Sequence, residues 1–124
     1  MSGAGAVLSR VRGTIVITLQ GAAQADALAT ASRALMAELE RSHTDAVVFE
    51  ISGCEVIDLE EFNALRKLTQ QVQWLGVRSV IAGLRPGIVT YLVSAGVPTS
   101  GLRLARNLEQ ALFEIDFKRR PKRL

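Results

Sequence analysis

The stretch Ala46-Val47-Val48-Phe49-Glu50-Ile51, followed by Ser52-Gly53-Cys54-Glu55 and then by Val56-Ile57-Asp58-Leu59-Glu60-Glu61-Phe62-Asn63-Ala64-Leu65, decides the fold. Its first part is almost wholly apolar and rich in β-branched residues, as a strand buried on both faces must be. Its second part is a short turn. Its third part opens a helix. Asp58 occupies an N-cap position and Glu61 stands three residues on. That spacing lets the two side chains satisfy orphan helix N–H groups reciprocally, with Asp replacing the usual Ser or Thr of a capping box. The helical pattern runs to Trp74 and buries Phe62, Leu65, Leu68 or Thr69, Val72 and Leu75, with Gly76 ending it. One surface loop, Asp58 to Glu61, therefore lies at a helix start whose free N–H groups suit anions.

Working back from this stretch, Val7–Val11 and Thr14–Leu19 read as strands joined at Arg12-Gly13, a hairpin signal weaker than Asn-Gly. The second alternates Ile15, Ile17 and Leu19 with Thr14, Val16 and Thr18. After the small-residue loop 20–25, Asp26 to Arg41 follows helical periodicity through Leu28, Ala31, Leu35 and Leu39.

Working forward, Ser79-Val80-Ile81-Ala82 is a short strand. Pro86 suits the first turn of a helix running from Ile88 to Ala95. A short strand at Leu102–Ala105 precedes a last helix from Asn107, its N-cap, to about Phe117. The order ββαβαβαβα calls for an α/β fold: a mixed, mostly parallel sheet of about five strands, an N-terminal hairpin and four helices. Gly83-Leu84-Arg85-Pro86-Gly87 has neither Walker nor dinucleotide spacing, so no phosphate loop is present and no cofactor is expected.

The 124 residues suit one domain, and 48% hydrophobic with 22% charged residues places the chain among globular proteins. One cysteine permits no internal disulfide, no apolar run approaches a membrane span, and Met1–Ala6 lacks the pattern of a signal peptide, so a cytoplasmic location is expected. The net charge of +3 comes from the end of the chain. Lys118, Arg119, Arg120, Lys122 and Arg123 leave ten basic against twelve acidic side chains in residues 1–117, a net of −2. Residues 1–117 are thus read as the domain and 118–124 as a disordered basic tail. Five charges without interleaved aromatics are weak evidence for contact with nucleic acid or anionic lipid, and nucleic acid is not the expected partner.

The element order, together with Ile57-Asp58 leading into a helix, Leu75-Gly76-Val77-Arg78-Ser79-Val80-Ile81-Ala82-Gly83-Leu84-Arg85-Pro86, and Leu92-Val93-Ser94-Ala95-Gly96-Val97, resembles the STAS domains, which include bacterial anti-sigma-factor antagonists. The second and third segments are similar to the stressosome branch. With no sensor domain in front of it, the chain looks more like that branch's small scaffold antagonist. The resemblance covers residues 7 to about 117. It implies a non-enzymatic partner switch in stress signalling, binding a kinase-type switch protein or anti-sigma factor and associating with related STAS domains as a homo- or hetero-oligomer. It places the partner-binding loop at Asp58, Leu59, Glu60 and Glu61.

In that family the residue after the Asp is a Ser or Thr that a kinase phosphorylates. Here it is Leu59, and neither Glu60 nor Glu61 can accept phosphate in that way. The family's second phosphosite falls on Thr90 or Tyr91. Three readings stand: a natural non-switching paralogue, a fixed negative charge at Glu60, or an alteration of position 59. The resemblance also leaves open an accessory STAS subunit of a membrane transporter, which a size measurement distinguishes from a large stressosome-like particle.

The ordinary readings of single residues also count. Asp58 and Glu61 can be a cap and no more. Leu59, at the first helical position, is expected to face solvent, where its replacement leaves the core intact. Cys54, near Glu55 and Asp58, is expected to have a raised pKa and little reactivity. His43 stands alone, without metal-ligand spacing, and no catalytic constellation can be named. Trp74 is expected to pack on the sheet.

Overall fold

The computed structural model describes residues 5–21 and 25–121. Its elements are β1 (Gly5–Val11), β2 (Thr14–Gln20), α1 (Ala25–Arg41), β3 (Ala46–Gly53), α2 (Leu59–Trp74), β4 (Arg78–Ala82), α3 (Pro86–Ser94), β5 (Leu104–Ala105) and α4 (Leu108–Arg119). Five strands form one sheet in sequence order, β1-β2-β3-β4-β5. β1 and β2 are antiparallel, and every later pairing is parallel. Arg12 and Gly13 both take positive φ, 49° and 81°, as a two-residue type I′ hairpin turn requires.

Strand alternation sorts the core into two layers. Ile15, Ile17, Leu19, Val47, Phe49, Ile51 and Ile81 face α1, α2 and the buried Leu92 of α3. Val16, Val48, Val80 and the alanines 46 and 82 face α4 through Ala111, Leu112 and Ile115. β3 is therefore buried on both faces from Ala46 to Ile51, as its composition demands. The one charged residue in that run, Glu50, is buried, and its Oε1 accepts from the Ser52 hydroxyl at 2.7 Å and the Ser52 amide at 3.2 Å.

Three features differ from the sequence reading. Trp74 is 75% exposed. It follows Val72 by two residues, roughly 200° around the helix, and so lies opposite the buried stripe of Phe62, Leu65, Thr69 and Val72. Leu75 is also exposed, because it is the C-cap where the helix ends and the chain turns away. At the other end, α4 continues two residues past Phe117. Lys118 and Arg119 are helical, and Arg119 is tied to the body of the domain. Tail residues 122–124 lie outside the described residues, as do 1–4 and 22–24.

Candidate functional site

β3 and β4 are adjacent and parallel, so the loops at their carboxyl ends emerge on the same edge of the sheet. The first leads into α2 and the second into α3. They approach closely: a Cβ on Gly83, which sits at φ +88°, would lie 2.8 Å from Ser52 Cβ. Only glycine is tolerated there.

The first loop is anchored by two buried residues, three apart. Cys54 and Ile57 are buried, while Glu55, Val56 and Asp58 are exposed. Asp58 is extended at φ −83°, ψ 174° and caps α2. The Glu61 amide donates to Asp58 Oδ1 at 2.7 Å, and the Asp58 amide donates to Glu61 Oε1 at 3.0 Å. Asp58 and Glu61 are therefore engaged with each other's backbone. Glu55 and Glu60 make no ion pair among the described residues.

Leu59 does not stand free in solvent. It is half-buried and packs against the main core cluster. The reason is helical spacing: Leu59 precedes Phe62 by three residues and so begins the stripe that Phe62 and Leu65 continue.

Cys54 is buried, and its Sγ donates to the Leu19 carbonyl oxygen at 3.5 Å. Burial first, then the negative charges of Glu61 and Glu50, push its pKa up. The acidic neighbours are thus these two, reached through the fold, and not the adjacent Glu55 and Asp58.

On α3, Arg85 holds the N-cap position without a side-chain cap and Pro86 opens the helix. Thr90 Oγ1 donates to the Pro86 carbonyl at 3.0 Å, and Tyr91 is half exposed beside it. Both predicted regions, Asp58–Glu61 and Thr90–Tyr91, thus belong to helices that leave the same edge of the sheet. His43 is exposed after α1, away from that edge. Among the described residues no group of three or more His, Cys, Asp or Glu side chains is placed to hold a metal ion. Nor is any helix among them long and apolar enough to cross a membrane.

Two solved structures superpose on the chain with a TM-score of 0.77 at 19% sequence identity. One is RsbS of Moorella thermoacetica, in a form with one serine replaced by glutamate, where the match covers 91% of this chain and 96% of that one. The other is a chain from the molecular architecture of the stressosome, a signal integration and transduction hub, where it covers 93% and 100%. The chain has the STAS fold. The N-terminal hairpin, the mixed five-stranded sheet and the four helices expected for a STAS domain are all present. Among curated proteins, the RsbT co-antagonist protein RsbRB of Bacillus subtilis strain 168 is 31% identical over 72 residues, which are 58% of this chain and 26% of that protein. In that match this chain thus spans about a quarter of that relative's length. No protein-family model matches it.

Sequence reasoning passed over two features. Glu50 was legible as the one charge inside an apolar run. Phe113 and Phe117, both exposed on α4, were legible as an i, i+4 aromatic pair off the buried positions Ala111, Leu112 and Ile115.

Proposed function

We propose that this STAS domain is a non-enzymatic regulatory module of the anti-sigma-factor antagonist and stressosome type. It acts in the cytoplasm and binds a kinase-type switch protein or anti-sigma factor, together with related STAS domains. Its contact surface is the carboxyl edge of the sheet: the loop Asp58, Leu59, Glu60 and Glu61, with Thr90 and Tyr91 of α3 as the second element. The observation that carries this reading is the capped start of α2 on a STAS fold, where the capping box fixes the backbone and leaves Glu60 exposed. Likeness to the RsbT co-antagonist and to the stressosome chain supports it.

Leu59 stands at the position that the family phosphorylates. Without a hydroxyl there, the loop keeps one charge state whatever the kinase does, so this copy acts as a constant binder. Charges at an interface rim govern the association rate and its salt dependence more than the final affinity.

The test is to incubate the chain with a switch kinase and ATP and to map phosphate by mass spectrometry. No phosphate is expected in the Asp58–Glu61 loop, and any signal should fall on Thr90, Tyr91 or Ser94. Glu60→Gln should slow partner association in surface plasmon resonance and flatten its salt dependence. High-occupancy phosphate on Ser52, or unaltered kinetics for Glu60→Gln, would place the switch or the interface elsewhere.

A further inference from the structure

Helix α4 carries two apolar faces. One, through Ala111, Leu112 and Ile115, is buried on the sheet. The other presents Phe113 and Phe117, 64% and 59% exposed, with ring centroids 6.4 Å apart. A helix lying on one sheet needs only one apolar stripe, so the second asks for a cover.

With Leu104 of the two-residue edge strand β5, itself 43% exposed, these rings line a groove of about 400 Å³. Its rim is basic. Arg78, Arg103 and Lys118 border it, and none makes an ion pair among the described residues. Glu114 is the single acid on its wall.

The opposite edge of the sheet carries the complementary charge around an exposed apolar residue. The loop between β3 and α2 projects Val56, 73% exposed, with the exposed carboxylates of Glu55, Asp58 and Glu60 close by in the chain. This is an apolar tip among acids, and the groove is an apolar slot among bases. Arg78 begins β4, and the α4 end that lines the groove bonds to Asp45, just before β3. The groove therefore sits at the amino edge of the parallel strands and the Val56 loop at their carboxyl edge. One molecule cannot reach its own groove, and filling either surface leaves the other open.

We propose that a second copy of this chain docks its Val56 loop into the Phe113–Phe117 groove, head to tail. Such a contact is heterologous. Repeated, it builds an open chain or a closed ring, whereas a two-fold contact would stop at a dimer. The rim charges make it weaken as salt rises. The switch partner and the second copy would compete for the loop within one molecule, and the self-contact is tested on the pure chain with no partner present.

The experiment is sedimentation velocity on the full chain from micromolar to millimolar concentration, at low and high salt. Three forms are compared: the unaltered chain, a groove variant (Arg103→Glu with Phe113→Asp) and a loop variant (Val56→Lys with Glu60→Lys). All four positions are exposed, and circular dichroism confirms folding. The milder Arg103→Gln serves if a double variant is unstable, and it should lower the association constant severalfold. The unaltered chain should grow in mass with concentration beyond a dimer, and less so at high salt. Each variant alone should sediment as a monomer. Their equimolar mixture should form a dimer and nothing larger, because one supplies a working loop and the other a working groove. A monomeric unaltered chain overturns the proposal even if the groove captures some other partner. So does loss of assembly in only one variant, or a mixture that stays monomeric.

Discussion

Arg119 Nε donates to Asp45 Oδ1 at 3.0 Å, joining the last turn of α4 to the residue that precedes β3. Arg119 Nη1 also donates to the Arg12 carbonyl at 2.9 Å, and Arg12 Nε reaches Asp116 Oδ2 at 2.8 Å. One cation thus ties the end of the chain's last helix to the β1–β2 hairpin and to the entry of the central strand. The fold closes at this point, and the basic rim of the α4 groove begins beside it.

This pair makes stability pH-dependent. The hydrogen bond from Arg119 holds the Asp45 carboxyl below its ordinary value of 3.8, against the opposing effect of partial burial. A carboxylate with a depressed folded-state pKa stabilises the native state above its unfolded value, and that contribution is lost as pH falls through the folded value. Asp45 is about half exposed, so solvent screening limits the effect to within about 1 kcal/mol. Arg119→Met should therefore lower the urea midpoint at pH 7, and the gap from the unaltered chain should shrink below pH 4. A gap that stays constant with pH would assign Arg119's contribution to its backbone contacts alone.

The central stretch was legible because each of its signals has one physical solution. An apolar β-branched run must be buried on two faces, and an Asp with a Glu three residues later fits a helix start. The hairpin at Arg12-Gly13 and the N-cap at Asn107 were legible for the same reason. Trp74 was not. Hydrophobicity alone suggested burial, whereas its angular position after Val72 points it outward. Leu59 erred the other way, since its place at the first helical position suggested exposure while its spacing from Phe62 places it on the inner stripe. Arg119 read as tail because charge runs usually mark solvated ends, and its partner Asp45 lies 74 residues earlier in the chain. The acids that act on Cys54 were hidden likewise: Glu50 and Glu61 reach it through the fold, and neither is its sequence neighbour.

Cys54 should be nearly inert in the native domain. Its thiol is buried, and burial together with Glu61 and Glu50 disfavours the thiolate, the form that attacks alkylating reagents. Iodoacetamide at pH 8 should modify it on the order of 100-fold more slowly in buffer than in denaturing urea, an opening free energy of about 3 kcal/mol. Because its folded-state pKa is raised, the thiol contributes stability below its unfolded value and loses that contribution as pH rises through the folded one. Equal labelling rates in the two solvents would mean that the β3–α2 loop opens freely.

Placing a hydroxyl at position 59 is the sharpest probe of the loop. Leu59 is half-buried against the main core cluster, so Leu59→Ser removes apolar contact at the end of the Phe62 stripe and should cost about 1 kcal/mol, short of the about 1.5–3 kcal/mol for a fully buried leucine. The domain should still fold, because the capping box between Asp58 and Glu61 does not use the position-59 side chain. Phosphate on the new serine would add about two negative charges beside Glu60 and Asp58, at a helix start that accommodates anions and on the rim that the proposed partner would approach. Circular dichroism with urea titration measures the first effect, and surface plasmon resonance on the unaltered, serine and phosphoserine forms measures the second. The serine form should bind a switch partner as the unaltered chain does, and the phosphoserine form should release or exchange it. Identical binding by all three forms would reduce this loop to a helix cap and move the interface away from the carboxyl edge of the sheet.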